Sequence, residues 1–155
     1  MYYTYMLRCA DNSIYTGMTN DLDKRINEHL SKDKNGAKYT KSHDAVKLEA
    51  AWKSKDKSLA CKLEYQIKNL SKMQKEALIN ILKNSIEHSP QGSKILITVE
   101  NNSVFLKIKI QDFGYGIDKK DLKHIFERFY KAKNSSEDSI GIGLSLSKAI
   151  IEKNN

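Results

Sequence analysis

A stretch in the middle of the chain, residues 58–89, contains neither glycine nor proline and limits the possible folds more than any other segment. Leucine and isoleucine recur in its first part at helical spacing, so the stretch is expected to be helical. A single helix of that length is unusual in a small globular protein. The capping-box pattern of Ser71–Gln74 instead predicts that one helix ends near Leu70 and that a second helix runs to Pro90.

The residues before this stretch predict a small sheet with flanking helices. Tyr2–Arg8 alternates between apolar and polar side chains, and a turn cluster joins it to Ile14–Thr16, which predicts a hairpin. Thr19 or Asn20 is the expected cap of a helix, and Val46–Trp52 alternates as a third strand. We therefore predict an α+β fold with three strands. The buried stripe expected for the first helix consists of Leu22, Ile26 and Leu30.

The residues after Pro90 predict a second and smaller sheet. Ile95–Val99 and Val104–Ile110 have the composition of strands, and Asn101-Asn102 between them marks a hairpin turn. No internal repeat relates the two halves of the chain. A half of this size with two strands buries little surface, so its core is expected to be small.

The charge of the chain favours a polyanionic partner. Its 27 Lys and Arg residues against 19 Asp and Glu residues give a net charge of +8, which suits nucleic acid. A solvated, lysine-rich surface has the same composition and is the alternative. Two cysteines without Cys-x-x-Cys spacing support neither a disulfide framework nor a zinc site. The sequence shows no membrane span and no secretory signal, so we expect a cytoplasmic protein without a membrane partner.

Aromatic and charged residues follow one another in a characteristic order in the first half. Tyr3–Tyr5 lies in the first predicted strand and Tyr15–Gly17 in the second. Arg25 and His29 are one helical turn apart, and Glu64 lies on a later helix. Taken singly, each is an ordinary strand or helix residue. Taken together, their order and spacing closely resemble the GIY-YIG nuclease family over about the first 80 residues.

This resemblance implies a metal-dependent endonuclease that acts on DNA. Glu64 would hold one Mg²⁺ or Mn²⁺ through a hard oxygen ligand, and Arg25 would bind the scissile phosphate. Tyr5 would help to remove a proton from the attacking water, and nearby positive charge is expected to lower its pKa for that task. Tyr3 is an alternative to Tyr5, because the first signature is loose. The residues that the resemblance assigns to catalysis are Tyr5, Tyr15, Arg25, His29 and Glu64.

Glycines cluster at two places in the second half. Asp112–Ile117 and Gly141–Leu144 each contain Gly-x-Gly, a spacing that lets the backbone approach a ligand. Asn80–His88 and Ile125–Tyr130 accompany them. In order, these four segments resemble the N, G1, F and G2 boxes of the ATP-binding domain of sensor histidine kinases, within the GHKL superfamily.

The second resemblance implies an ATP site. Asn84 would ligate Mg²⁺ on the phosphates, and Asp112 would accept a hydrogen bond from the adenine amino group. The ATP-binding residues that it assigns are Asn80, Asn84, Asp112, Gly114, Gly116, Gly141 and Gly143. The family's domain normally has more strands and helices around these boxes, so we expect an incomplete GHKL-type α/β sandwich. ATPase or kinase activity is not expected from it, and loss of ATP binding is an alternative.

The sequence therefore predicts two domains. Residues 1–75 form a GIY-YIG nuclease-like domain, and residues 76–155 form a truncated histidine-kinase-type ATPase segment. The leading prediction is a DNA endonuclease that uses Mg²⁺ or Mn²⁺, fused to an ATP-binding-like fragment. One alternative is a nucleotide-binding signalling module whose first half only binds DNA. Another is a basic DNA-binding protein without either activity.

Overall fold

The computed structural model describes residues 1–31, 37–101, 106–131 and 141–153. The chain divides into two compact units, Met1–Lys75 and Glu76–Asn155. Among the residues described, none of the helices combines the length and the apolar character that crossing a membrane requires.

The first unit is built on a three-stranded antiparallel sheet. β1 (Tyr2–Cys9) lies at its centre, between β2 (Ile14–Thr19) and β3 (Ala45–Ser54). In the turn between β1 and β2, the Ser13 amide donates to the Asp11 carboxylate at 3.0 Å, an arrangement that stabilises tight turns. The predicted hairpin, the third strand and the α+β class are confirmed.

Three helices accompany this sheet: α1 (Leu22–Leu30), α2 (Lys38–Ser42) and α3 (Lys57–Asn69). The N-cap of α1 is Asp21, whose side chain accepts a hydrogen bond from the Lys24 amide at 3.1 Å. The prediction that Thr19 or Asn20 caps this helix is therefore wrong. Thr19 still belongs to β2, and its hydroxyl donates to the Asp21 carbonyl at 3.0 Å.

The central strand is buried on both faces by helices. All three residues of Tyr5–Leu7 are 0% exposed. Tyr5 and Leu7 share a cluster with Ile26 of α1, and Leu22 packs against it. On the other side, the Thr4 hydroxyl donates to the Ala60 carbonyl of α3 at 3.1 Å. Leu30 is 43% exposed, so it does not join the stripe predicted for α1.

The second unit contains most of α4 (Lys72–Glu87), together with β4 (Leu96–Asn101), β5 (Leu106–Gln111) and α5 (Gly143–Lys153). The predicted capping box starts α4: the Ser71 amide donates to Gln74 Oε1 at 2.9 Å, and the Gln74 amide donates to Ser71 Oγ at 3.2 Å. β4 and β5 pair antiparallel as predicted. Asn102 of the predicted turn and the start of the predicted second strand, residues 104–105, lie outside the described residues.

Helix α5 packs against α4 within the second unit. The Ser147 hydroxyl lies 2.8 Å from the Gly143 carbonyl oxygen and 3.4 Å from that of Ala77 on α4. Ile150 of α5 and Ile79 of α4 are buried, at 4% and 1% exposure. The small core of this unit therefore includes the α4–α5 pair.

Candidate active site

Tyr5 stands at the centre of the candidate site. It comes from the middle strand of the sheet, and its side chain is directed at α1 rather than α3, since it packs in the cluster with Ile26. Its hydroxyl lies 2.7 Å from Nε2 of His29, which is itself only 1% exposed. The structure thus pairs Tyr5, and not the alternative Tyr3, with the predicted histidine.

Arg25 and His29 project from α1 one helical turn apart, as their spacing of four predicts. The Arg25 guanidinium lies beside the Tyr5 hydroxyl and acts to lower the pKa of that phenol. Its Nη1 also lies 2.7 Å from Oε2 of Glu28. A guanidinium held by a carboxylate on one side has its planar set of N–H donors fixed in one orientation. Arg25 can therefore present N–H groups to an anion beside Tyr5.

Tyr15 brings a second phenol to the site from β2. Its ring centroid lies 5.3 Å from that of His29 and 6.3 Å from that of Tyr5. The neighbouring strand makes room at Gly17, which is paired with Tyr5 across the sheet. A Cβ at Gly17 would lie 2.5 Å from the Tyr5 hydroxyl oxygen. Only glycine at this position therefore leaves Tyr5 where it is.

Glu64 lies on α3 and approaches the site from a different element. Its carboxylate is 23% exposed and pairs with Lys68 at 2.9 Å, the ordinary i, i+4 contact of a helix. The carboxylate is near enough to Tyr5 for its charge to raise the pKa of the phenol. All five residues that the sequence singled out thus lie in one unit. Tyr5 and His29 share a hydrogen bond and Tyr15 lies beside both rings, whereas Arg25 and Glu64 act on the pKa of Tyr5.

Burial raises the pKa of Tyr5 above its ordinary value of 10. The Tyr15 phenol adds to this rise, the Arg25 guanidinium opposes it, and the Glu64 carboxylate contributes to it. The positive charge of Arg25 acts to lower this pKa, as expected, but desolvation is larger, so the net shift in the protein without bound ligands is upward and not downward. Tyr5 carries its proton at neutral pH.

Burial and the positive charge of Arg25 lower the pKa of His29 from 6.5 to about 4, although Glu28 opposes this. The imidazole is therefore neutral at neutral pH. A neutral imidazole carries one N–H and one bare nitrogen, so it can both donate and accept. The buried pair thus consists of a protonated phenol and an uncharged histidine, joined by one hydrogen bond.

The fit of a divalent cation rests on Glu64 alone. Among the residues that the structure describes, no group of three or more His, Cys, Asp or Glu side chains converges on one point. Glu64 offers a partly exposed, hard carboxylate oxygen, which suits Mg²⁺ or Mn²⁺ with water and phosphate as the other ligands. The chemistry of this donor therefore fits a weakly held cation.

The candidate nucleotide-binding residues are all described, and they lie in the second unit. Asn80 and Asn84 are on α4, Asp112 follows β5, and Gly143 is the first residue of α5. The position of a Cβ on Gly143 is 3.9 Å from the Asn84 amide nitrogen, so these two residues are neighbours.

The three other glycines occupy turns of this unit. The Gly114 amide donates to the Asp112 carboxylate at 3.1 Å, and a Cβ at Gly114 would clash with the His88 carbonyl oxygen at the end of α4. Gly116 and Gly141 have φ angles of 74° and 70°. Part of the segment between the predicted F and G2 boxes, residues 132–140, lies outside the described residues.

Comparisons with known proteins follow the same division. The family model of the GIY-YIG catalytic domain matches residues 1–77, and that of the histidine kinase-, DNA gyrase B- and HSP90-like ATPases matches residues 71–155. A UPF0213 protein of Fusobacterium nucleatum is 53% identical over 79 residues, which are 51% of this chain and 77% of that protein. The chain belongs to the GIY-YIG family in its first half and to this ATPase family in its second.

Further relatives match the GIY-YIG half. A UPF0213 protein of Halalkalibacterium halodurans is 42% identical over 52% of this chain and 83% of its own length. One of Halobacterium salinarum is 44% identical over 50% of this chain and 99% of its own length. The solution NMR structure of a UPF0213 protein from Bacillus halodurans is 43% identical and covers 52% of this chain and 85% of that chain, with a TM-score of 0.36.

Sequence reasoning missed Thr40 in the GIY-YIG unit. Its Oγ1 lies 2.7 Å from Nδ1 of His29, on the side of the ring opposite Tyr5, and its side chain is 2% exposed. Tyr39 beside it stacks between Tyr15 and His43, with ring centroids 5.7 and 4.1 Å apart. No spacing rule connects Thr40 to a histidine on another helix.

Proposed function

We propose that the GIY-YIG unit is an endonuclease that hydrolyses DNA phosphodiester bonds with the help of Mg²⁺ or Mn²⁺. The observation that carries the proposal is the buried hydrogen bond between the Tyr5 hydroxyl and His29 Nε2, with Arg25 on the same hydroxyl. A buried phenol, a neutral imidazole and a guanidinium at one point are suited to proton transfer beside an anion. The family membership of residues 1–77 supports the same reaction.

In hydrolysis the attacking water loses a proton and its oxygen forms a new P–O bond, while the P–O bond to the leaving oxygen breaks and that oxygen takes up a proton from solvent water. In our proposal the Tyr5 oxygen receives the proton of the attacking water while its own proton passes to His29 Nε2. Arg25 binds the phosphate oxygens through its planar guanidinium. Tyr15, within van der Waals reach of both rings, fixes their orientation. Glu64 holds the divalent cation, which neutralises charge on the phosphate when it is bound.

A groove beside Arg25 supports a polynucleotide as substrate. Its volume is about 640 Å³, and Lys24 and Lys57 line it together with Arg25. The two acidic side chains in its wall are occupied, since Asp21 caps α1 and Glu28 pairs with Arg25. A strand whose phosphate lies on Arg25 therefore meets further positive charge along this groove.

Cleavage of labelled duplex and branched DNA in Mg²⁺ or Mn²⁺ tests the proposal. We expect Tyr5→Phe and Glu64→Gln each to lower the cleavage rate by about 100-fold or more, as loss of a proton-transfer or charge-stabilising group does. Tyr65→Phe is the matched control, because Tyr65 lies next to Glu64 in the sequence and is 63% exposed. Cleavage by folded Tyr5→Phe at the wild-type rate would contradict the proposal.

We propose as a second function that residues 76–155 bind ATP. The side-chain amide of Asn84 lies close to Gly143, the first residue of α5, and this favours ATP binding. The N–H groups of a helix N-terminus, with a side-chain amide beside them, can bind a phosphate. Calorimetric titration with ATP and Mg²⁺ tests it. Saturable binding that is lost in Asp112→Asn but kept in Asp118→Asn, an exposed carboxylate of the same unit, is expected. Absence of binding in the wild-type chain would refute this function and leave the nuclease proposal untouched.

A further inference from the structure

Thr40 makes two hydrogen-bonding contacts that together determine the direction of its hydroxyl. Its Oγ1 lies 3.0 Å from the Ala37 carbonyl oxygen and 2.7 Å from His29 Nδ1. A hydroxyl has one proton to donate, and a carbonyl oxygen only accepts. When the Thr40 proton points to Ala37, the oxygen of Thr40 is an acceptor toward His29. Nδ1 of His29 must then carry the imidazole proton.

The other side of the ring leads independently to the same tautomer. The Tyr5 hydroxyl faces His29 Nε2 at 2.7 Å and the Arg25 guanidinium, which is a donor only. His29 Nε2 is therefore the acceptor available to the Tyr5 proton. In the opposite tautomer this proton would have no acceptor among the described residues that hydrogen-bond Tyr5, whose side chain is 0% exposed. An unsatisfied buried donor costs about 1–3 kcal/mol, so the pairing favours a bare Nε2.

We propose that Thr40 is a positioning residue that holds His29 as its Nδ1–H tautomer and so leaves Nε2 bare toward Tyr5. The chain of hydrogen bonds runs from Tyr5 to His29, from His29 to Thr40 and from Thr40 to the Ala37 carbonyl. Helix α2, only five residues long, serves in this way to place one hydroxyl behind the ring. The catalytic consequence rests on the nuclease proposed above, whereas the tautomer itself does not.

Two substitutions separate the hydroxyl of Thr40 from its packing. Thr40→Val keeps the shape of the side chain and removes the hydroxyl, and Thr40→Ser keeps the hydroxyl and removes the methyl group. Thr98→Val makes the first change at an exposed position of β4 and serves as the control. The fluorescence of Trp52, the one tryptophan of the chain, reports whether the unit containing Thr40 is folded.

The nitrogen-15 NMR shifts of the His29 ring measure the tautomer directly in the full chain without DNA or metal. We expect Nδ1–H in the wild type, in Thr40→Ser and in Thr98→Val, and a mixture of tautomers in Thr40→Val. The cleavage rate at saturating DNA is expected to fall by about 10- to 100-fold in Thr40→Val, with KM unchanged, as for other groups that orient a functional histidine. Thr40→Ser restores most of the rate that Thr40→Val loses.

The outcomes are distinguishable. An Nε2–H tautomer in the wild type overturns the proposal, as does a Thr40→Val protein with the tautomer and rate of the wild type. Loss of rate in Thr40→Ser equal to that in Thr40→Val also overturns it, because the methyl group then matters and not the hydroxyl. A wild-type chain that cuts no DNA but shows Nδ1–H refutes the nuclease and supports the positioning role of Thr40.

Discussion

At the scale of single residues, the Tyr5–His29 hydrogen bond holds its proton on the phenol. Burial raises the pKa of Tyr5 and lowers that of His29, so transfer of the proton between them is unfavourable in the free protein. The Glu64 carboxylate is one of the charges that raise the pKa of Tyr5. A cation on Glu64 would neutralise this charge and so lower the pKa of Tyr5. Proton transfer from Tyr5 to His29 therefore depends on what binds beside the pair.

The lowered pKa of His29 predicts that the first unit loses stability in mild acid. The pKa is about 4 in the folded protein and 6.5 as an unperturbed group, so the unfolded chain binds a proton between these values that the folded chain does not. The contribution of neutral His29 to the free energy of unfolding is therefore present above pH 6.5 and is lost as the pH falls toward 4. The loss amounts to up to about 3 kcal/mol. Urea unfolding followed by Trp52 fluorescence at pH 7 and pH 4.5 measures this.

His29→Gln is the control for that measurement, because it removes the titrating group. Its free energy of unfolding is lower than that of the wild type at pH 7, but its decrease between pH 7 and pH 4.5 is expected to be smaller. The Arg25 and Glu28 side chains, which also act on the His29 pKa, are unchanged in this variant. Equal pH dependence in both proteins would show that His29 is not the group responsible.

The residue types of this site were predictable from sequence, whereas their electrostatics were not. The order of Tyr5, Tyr15, Arg25, His29 and Glu64 is visible in the chain because strand and helix spacing are local properties. The pKa of Tyr5 depends on how completely α1 and the sheet exclude water, which no spacing reveals. The role of Thr40 was not predictable for a similar reason. Its contact with His29 joins α2 to α1, and no residue spacing within one helix relates the two positions.

At the scale of elements, caps and strand alternation differed in how well they could be predicted. The Ser71–Gln74 capping box forms as predicted, because both partners lie within one turn. In β3 the predicted alternation fails: Val46 is 55% exposed and Leu48 36%. Two shifts of register against β1 interrupt this strand, and each shift changes the face on which the following side chains lie. Such shifts are set by pairing and are not encoded in the alternation itself.

The groove beside Arg25 is lined by residues from the first turns of α1 and α3, and its lysines are expected to contribute to DNA affinity. In the described parts of the chain, neither Lys24 nor Lys57 is seen in an ion pair. Lys24→Ala and Lys57→Ala are each expected to weaken DNA binding and to lower the slope of log K against log salt by about one. The cleavage rate at saturating DNA stays near that of the wild type, because neither lysine touches the reacting groups in our proposal.

Lys62→Ala is the matched control for these variants. Lys62 lies on α3 like Lys57 and is exposed, but it does not line the groove. Titration of labelled DNA at several salt concentrations compares the three proteins with the wild type. If Lys62→Ala lowers the slope as much as Lys57→Ala, binding follows the overall charge of +8 and not the groove.

At the scale of the whole molecule, the proposed catalytic groups are confined to one part of the chain. All five lie within Met1–Lys75, and so do Thr40 and the groove lysines. The relative from Halobacterium salinarum matches this part over 99% of its own length. A protein of that size therefore exists without a counterpart of the second unit. This supports the proposal that the two units are separate domains. The sequence predicts the boundary between them at residues 75 and 76.

A chain shortened to residues 1–82 is therefore expected to fold and to cut DNA at the rate of the full chain. It retains the sheet, α1–α3, the capping box and the first turns of α4, so Trp52 fluorescence should show an unfolding transition like that of the longer protein. The rate is measured with and without ATP on both proteins. A shortened chain that folds but cuts nothing, beside a full chain that cuts, would mean that the ATPase-family unit takes part in catalysis. Acceleration of the full chain alone by ATP would instead indicate that this unit regulates an autonomous nuclease.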